Sequence, residues 1–142
     1  NPVNDSIDHL VDYLCEQAER LLSMRSIRCH FEVPAQLPDS SLSSKARYSL
    51  FLAVREALNN IVKHSGASEV LFRLQTTPER LSLSLKDNGR GFSLECRSCA
   101  GNGLHNMEKR LKQLGGTFDL ESHPGRGTCI RLEVPLQSGS FA

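Results

Sequence analysis

A chain of 142 residues, 39% hydrophobic and 23% charged, fits one domain with a substantial core and leaves no room for a second. Its 17 Lys and Arg balance 16 Asp and Glu to a net charge of +1 with no concentrated basic run, which speaks against a nucleic-acid partner. The longest apolar stretch, residues 50–54, is too short for a bilayer, and no signal segment is read; five cysteines without framework spacing predict a reducing, cytoplasmic setting, with membrane anchoring of a parent protein left open.

In chain order, Ile7, Leu10, Val11, Leu14, Ala18, Leu21 and Leu22 recur at helical spacing and predict an amphipathic helix over about residues 5–25, capped by Asp5 or Ser6. Residues 27–33 read as a short strand ended by Pro34, and residues 35–41 as a loop. Ser43 or Ser44 opens a long helix that runs to about His64 and stops at Ser65-Gly66. Val70, Phe72 and Leu74, then Leu81, Leu83 and Leu85, alternate around Thr76-Thr77-Pro78-Glu79 as a hairpin with one buried face. Beyond Asp87 the chain is glycine-rich to Gly91 and polar to Gly103; a third helix is expected over about residues 104–114, closed by Gly115-Gly116. Phe118 and Leu120 mark another strand and Ile130, Leu132 and Val134 the last, across the turn Pro124-Gly125-Arg126-Gly127, with a frayed tail after Pro135. This order predicts an α/β two-layer sandwich: a mixed sheet of about five strands, covered on one face by about three helices, in one domain over residues 1–142.

Four patterns carry chemistry. On the second helix, Glu56, Asn59, Asn60 and Lys63 share a polar stripe opposite Leu50, Val54, Ala57, Leu58, Ile61 and Val62. Such a stripe is ordinarily a solvated face, but adjacent asparagines are poor helix formers, and Glu56 and Asn60 stand one turn apart, where their oxygens can converge on a hard cation such as Mg²⁺. Asp87-Asn88-Gly89-Arg90-Gly91-Phe92 follows a strand directly. A carboxylate there accepts hydrogen bonds only, favouring the amino group of adenine over the oxygen of guanine, and Gly89 and Gly91 admit close backbone approach. Gly101-Asn102-Gly103-Leu104 is a glycine-rich lead into the third helix, where backbone N–H groups and the helix dipole favour phosphate. Gly125-Arg126-Gly127-Thr128 is explained as a turn, except for the Thr128 hydroxyl, which can reach a base-side hydrogen bond. Cys96-Arg-Ser-Cys99 is a lone pair without the further ligands a zinc site needs, and reads as an ordinary loop.

In this order the four patterns resemble the boxes of the histidine-kinase ATPase family, a branch of the gyrase, Hsp90, histidine kinase and MutL superfamily, over about residues 43–136. Arg55-Glu-Ala-Leu-Asn-Asn-Ile-Val-Lys-His-Ser-Gly-Ala67 resembles the N box, and the segment GNGLHNMEKRL is similar to the NarL-type subfamily. The resemblance implies a Bergerat fold that binds ATP and Mg²⁺ between the helical layer and a lid. It implies that Asp87 holds the adenine amino group, with Gly89 and Gly91 beside the base, and that Asn60 ligates Mg²⁺. Asn59 and Asn60 belong to the nucleotide-binding stripe; Gly101, Gly103 and Leu104 approach the phosphates with Lys63 or His64 nearby. Thr128 supports the adenine end, and Glu56 stands where hydrolysing members of the superfamily keep a general base or a water-mediated metal contact.

The pattern also departs from the family. The lid, residues 93–100, is short and lacks a phenylalanine box. His9 is followed by Leu10 and Val11, not by an acidic residue, and a single helix precedes the first strand. The expected function is therefore an ATP-binding catalytic domain of a two-component sensor kinase that needs histidine-bearing dimerisation helices of a homodimeric parent, with a response regulator downstream. A serine kinase of the anti-sigma-factor type and a non-catalytic nucleotide-gated module are the alternatives.

Overall fold

The structure is a computed structural model that describes residues 6–95 and 97–138. In chain order it forms α1 (Ile7–Ser23), β1 (Arg28–Glu32), β2 (Ser40–Ser41), α2 (Ser44–Asn60), one π-helical turn (Ile61–Ser65), β3 (Glu69–Thr76), β4 (Arg80–Asp87), α3 (Arg97–Gln113), β5 (Thr117–Ser122), β6 (Thr128–Pro135) and β7 (Gln137–Ser138). Helix starts fall where a hydroxyl can accept an otherwise unpaired N–H. Ser6 accepts from the His9 amide to open α1, and Ser43 accepts from the Ala46 amide to open α2. At the far end of α2 the π-turn runs into Gly66, whose φ of 64° is the left-handed cap that the sequence reading placed there.

The main sheet has strand order β1-β3-β4-β6-β5. β1 and β3 pair in parallel because α2 crosses between them; the other neighbours are antiparallel. Alternation sends Val70, Phe72, Leu74, Leu81, Leu83, Leu85, Ile130, Leu132 and Val134 to one face, where all are buried against Leu14, Leu50, Leu58 and Leu111 of the helices. Each fully buried leucine of this layer contributes about 1.5–3 kcal/mol. The other face is polar, with exposed cross-strand ion pairs such as Arg73–Glu32 at 2.7 Å that add little. This is the expected two-layer sandwich. Among the described residues no helix is long and apolar enough to cross a membrane.

Two expectations are corrected. The tail does not fray at Pro135. Leu136 is buried and its amide donates to the Glu79 carbonyl at 2.7 Å, after which β7 pairs with β2, inside the segment read as a loop. Second, α3 starts at Arg97, not at Leu104, so Gly101 and Gly103 lie within the helix instead of ahead of it. No proline interrupts this stretch, and a helical glycine costs only about 1 kcal/mol relative to alanine. Leu104, Met107 and Leu111 anchor the later turns in the core, which outweighs that cost.

Candidate functional site

The inward alternation of three strands ends in polar residues at the same edge of the sheet. After Leu81, Leu83 and Leu85 comes Asp87; before Ile130 and Leu132 comes Thr128; after Phe118 and Leu120 comes Ser122. Strand register sets them side by side, with Asp87 paired to Thr128 and Thr128 to Ser122. Asp87 is 5% exposed and Ser122 2%. Burial raises the Asp87 pKa above its ordinary 3.8, while the Gly89 and Thr128 amides pull it back by donating to the carboxylate.

Glycines let the chain fold tightly around this rung. Gly91 (φ 63°) and Gly127 (φ 78°) take left-handed conformations, and a Cβ on either would strike backbone, at the His123 carbonyl and the Asp87 carbonyl respectively. Ser65 closes the other side. Its hydroxyl donates to the Ile61 carbonyl at 2.7 Å and accepts from the Ala67 amide at 3.0 Å, while its own carbonyl accepts from the Arg90 amide at 2.8 Å. Asn88 points away from the rung, accepting from the Ser68 and Glu69 amides at 2.9 and 3.0 Å. The turn after β4 is thus tied to both the end of α2 and the start of β3.

Between these elements lies a cleft of about 470 Å³, counting its open mouth. Asn60 and His64 enter it from the end of α2 and the π-turn, Asp87 and Thr128 from the sheet edge, and Gly91 and Leu104 from the turn after β4 and from α3. Six residues singled out from sequence therefore converge. Asn60 and His64 stand four residues apart across the junction of α2 and the π-turn, a spacing that keeps both on the cleft side. Apolar Ala57, Ile61, Leu85 and Ile130 supply walls for a flat ring.

The remaining candidates are placed differently. Gly89 sits behind the cleft, where a Cβ would press on Ser65 and on Asp87. Among the described residues, Glu56, Asn59 and Lys63 stand outside the lining. Glu56 instead packs against α3, and Gly103 is the position that permits it, since a Cβ there would meet the Glu56 carboxylate. Gly101 lies on the backbone of α3. Cys96 falls outside the described residues, as does the side chain of Cys99.

The sequence reading missed Arg90 and Phe92, which line the cleft, and the tie residue Ser65. It also missed Ser122, whose signal was present: continuing the alternation of Phe118 and Leu120 by one more step puts a serine on the buried face.

The donor set fits a purine with an exocyclic amine. Asp87 offers acceptor oxygens against apolar walls, and Arg90 and His64 lie on the same cleft for an attached anion. For a hard cation the lining supplies the Asn60 amide oxygen. Among the described residues no three His, Cys, Asp or Glu side chains gather around one point. A Mg²⁺ ion here would share its ligands with phosphate oxygens, as this ion commonly does.

Residues 46–138 match the family described as histidine kinase-, DNA gyrase B-, and HSP90-like ATPase. The chain is 34% identical over 113 residues to the signal transduction histidine-protein kinase/phosphatase DegS of Bacillus subtilis, covering 78% of this chain and 29% of DegS. It is 33% identical to the sensor histidine kinase LiaS of the same organism, covering 74% of this chain and 29% of LiaS. The chain thus spans less than a third of the length of these curated relatives. A structure of full-length ShkA in complex with AMPPNP superposes with a TM-score of 0.75 at 20% identity, covering 96% of this chain and 31% of that one, which supports the fold.

Proposed function

The chain belongs to the histidine kinase-, DNA gyrase B-, and HSP90-like ATPase family, and on that premise we propose that it is the ATP-binding catalytic domain of a two-component sensor kinase. It binds ATP with Mg²⁺ and passes the γ-phosphoryl group to a histidine on helices of its parent protein, from which a response regulator receives it. One observation carries this reading: Asn60, His64, Asp87, Arg90 and Thr128, drawn from separate stretches of sequence, line one cleft whose walls are apolar.

Each residue has a role that its chemistry allows. The Asp87 carboxylate accepts from the adenine amino group, and Thr128 stands beside it on the adjoining strand. Ile61, Leu85 and Ile130 exclude water from the ring faces. Asn60 would offer an amide oxygen to Mg²⁺, which when bound would offset the charge of the phosphates. His64 and Arg90, with Leu104 of α3, line the cleft for the phosphates, while Gly101 and Gly103 lie inside α3 and Gly103 serves its close approach to α2. Glu56, held against Gly103, orients that helix; Asn59 and Lys63 flank the stripe from outside the lining. The domain works by positioning and charge neutralisation, with no covalent intermediate of its own.

The test is calorimetric binding of ATP and GTP, with and without Mg²⁺, to this chain, followed by incubation with histidine-bearing helices of a relative. Adenine-selective binding and an acid-labile phosphoprotein are expected; equal affinity for ATP and GTP rejects the base site, and an acid-stable product assigns the acceptor to serine. Asn60→Ala is expected to remove Mg²⁺-dependent binding while the fold persists, and full retention would sink its role.

A further inference from the structure

Ser122 carries no role in the family resemblance, yet its hydroxyl meets three partners beside the cleft. It is 2% exposed. Its Oγ accepts from the Phe92 amide at 2.9 Å, lies 2.7 Å from Thr128 Oγ1, and lies 3.3 Å from the Gly127 carbonyl oxygen. A serine hydroxyl has one proton to give and two lone pairs to fill. The Phe92 N–H can only donate and the Gly127 carbonyl can only accept. The arrangement that satisfies all three neighbours therefore has Ser122 donating to Gly127 and receiving protons from Phe92 and Thr128. In the opposite arrangement Ser122 donates to Thr128, and the Gly127 carbonyl keeps only the long 3.4 Å contact from the His123 amide. At a buried site, full satisfaction is the lower state.

A consequence for the cleft follows. Once the Thr128 proton is committed to Ser122, Thr128 has only lone pairs to offer elsewhere. Its in-register neighbour Asp87 likewise presents only acceptors when ionised. We propose that Ser122 is a specificity-determining positioning residue, which fixes the polarity of the Thr128 hydroxyl so that Thr128 and Asp87 together form a two-acceptor edge for a nucleobase amino group. Through its bond to the Phe92 amide the same oxygen ties the segment that follows β4 to this edge. Without Ser122 the Thr128 hydroxyl is free to turn its proton into the cleft, where it welcomes a carbonyl at the same base position. The inference rests on the nucleotide reading above and adds to it a residue that never needs to touch the base.

The discriminating probe is ATP against ITP, which replaces the six-position amine of the purine with an oxygen. The wild-type chain is expected to prefer ATP, and Ser122→Ala to erode the ATP-to-ITP preference by about tenfold, the scale of one hydrogen bond reversed in sign. Thr128→Val, which removes the hydroxyl but keeps the shape, is expected to lower the preference as well, and Ser122→Ala on that background to change it no further. That non-additivity is the signature of action through Thr128. A Ser122→Ala protein that weakens ATP and ITP equally overturns the proposal and leaves Ser122 a packing residue. A Thr128→Val protein with unchanged preference overturns it too, even if Ser122→Ala does not fold. A wild-type chain that binds neither nucleotide rejects the nucleotide reading itself and the inference with it; one that prefers ATP while both variants match it rejects the inference alone.

Discussion

The two sides of the cleft place their glycines under different constraints. At the sheet edge, Gly91 and Gly127 have left-handed backbone and no room for a Cβ, because carbonyl oxygens occupy that space. On the helical side, Gly103 has ordinary helical backbone, and its missing Cβ is opposed by the end of a flexible Glu56 side chain. The first pair lets the chain turn tightly at the sheet edge. The second lets two helices close on each other. Glycine-rich sequence therefore marks two unlike things here, a rigid floor and an adjustable wall.

Substitutions should separate them. The largest effect is expected for Gly127→Ala, where positive φ and a backbone collision coincide: a loss of about 3 kcal/mol or more in urea unfolding. A variant as stable as the parent would show the floor to be softer than its geometry. Next comes Asp87→Asn, expected to weaken ATP binding about 100-fold by calorimetry, since a charged acceptor is lost. This variant also reports on pH. The folded pKa of Asp87 is raised, so its contribution to stability is fully present below 3.8 and is lost as pH rises through the raised value. The wild type should thus lose stability across that window where Asp87→Asn does not, and ATP affinity should fall as acid protonates the carboxylate. Identical pH profiles for the two proteins would contradict a buried, ionisable Asp87.

Gly103→Ala is the middle case. Alanine favours a helix by about 1 kcal/mol, and Glu56 must move aside, so stability should change by less than about 1 kcal/mol. Phosphoryl transfer should fall more than ATP affinity does, because the displaced contact joins α2 to α3. Equal losses in both assays would place Gly103 with the floor. The smallest effect on binding and transfer belongs to Gly125→Ala. Gly125 shares the turn with Gly127 and has φ of 81°, but nothing lies within 4 Å of its absent Cβ. Only left-handed strain of about 1 kcal/mol remains, readable as a small shift in the unfolding midpoint.

Much of this was legible in sequence because periodicity and punctuation decide it. The hairpin of Val70 to Leu85, the caps at Ser6 and Ser43 and the stop at Gly66 all follow from local rules. So did Asp87, as a carboxylate in a glycine-rich stretch after an apolar alternation. The start of α3 was misread because two glycines look like a loop, although tertiary anchoring at Leu104 and Leu111 outweighs their helix cost. Ser122 and Ser65 were missed for another reason. Ser122 reads as a strand end although the period of Phe118 and Leu120 points it inward, and Ser65 reads as a helix cap until the bond of its carbonyl to the Arg90 amide, far along the chain, is known. The pairing of Ser40 and Ser41 with β7 is of the same kind.

The π-turn at the end of α2 has a consequence for chain length. A π-turn holds one residue more than the α-turn it replaces. Removing a single residue such as Val62 would let α2 run on as a regular helix to Gly66, with its hydrogen bonds intact and little loss of fold. Every residue before the deletion would keep its place, while those on one side of it would rotate about 100° relative to the other. Asn60 and His64, then three residues apart, would still share a helix face, but Ser65 would lose its alignment with the Arg90 amide that ties down the turn after β4. The extra residue, independent of which amino acid fills it, sets the rotation at which the end of the helix meets the turn after β4.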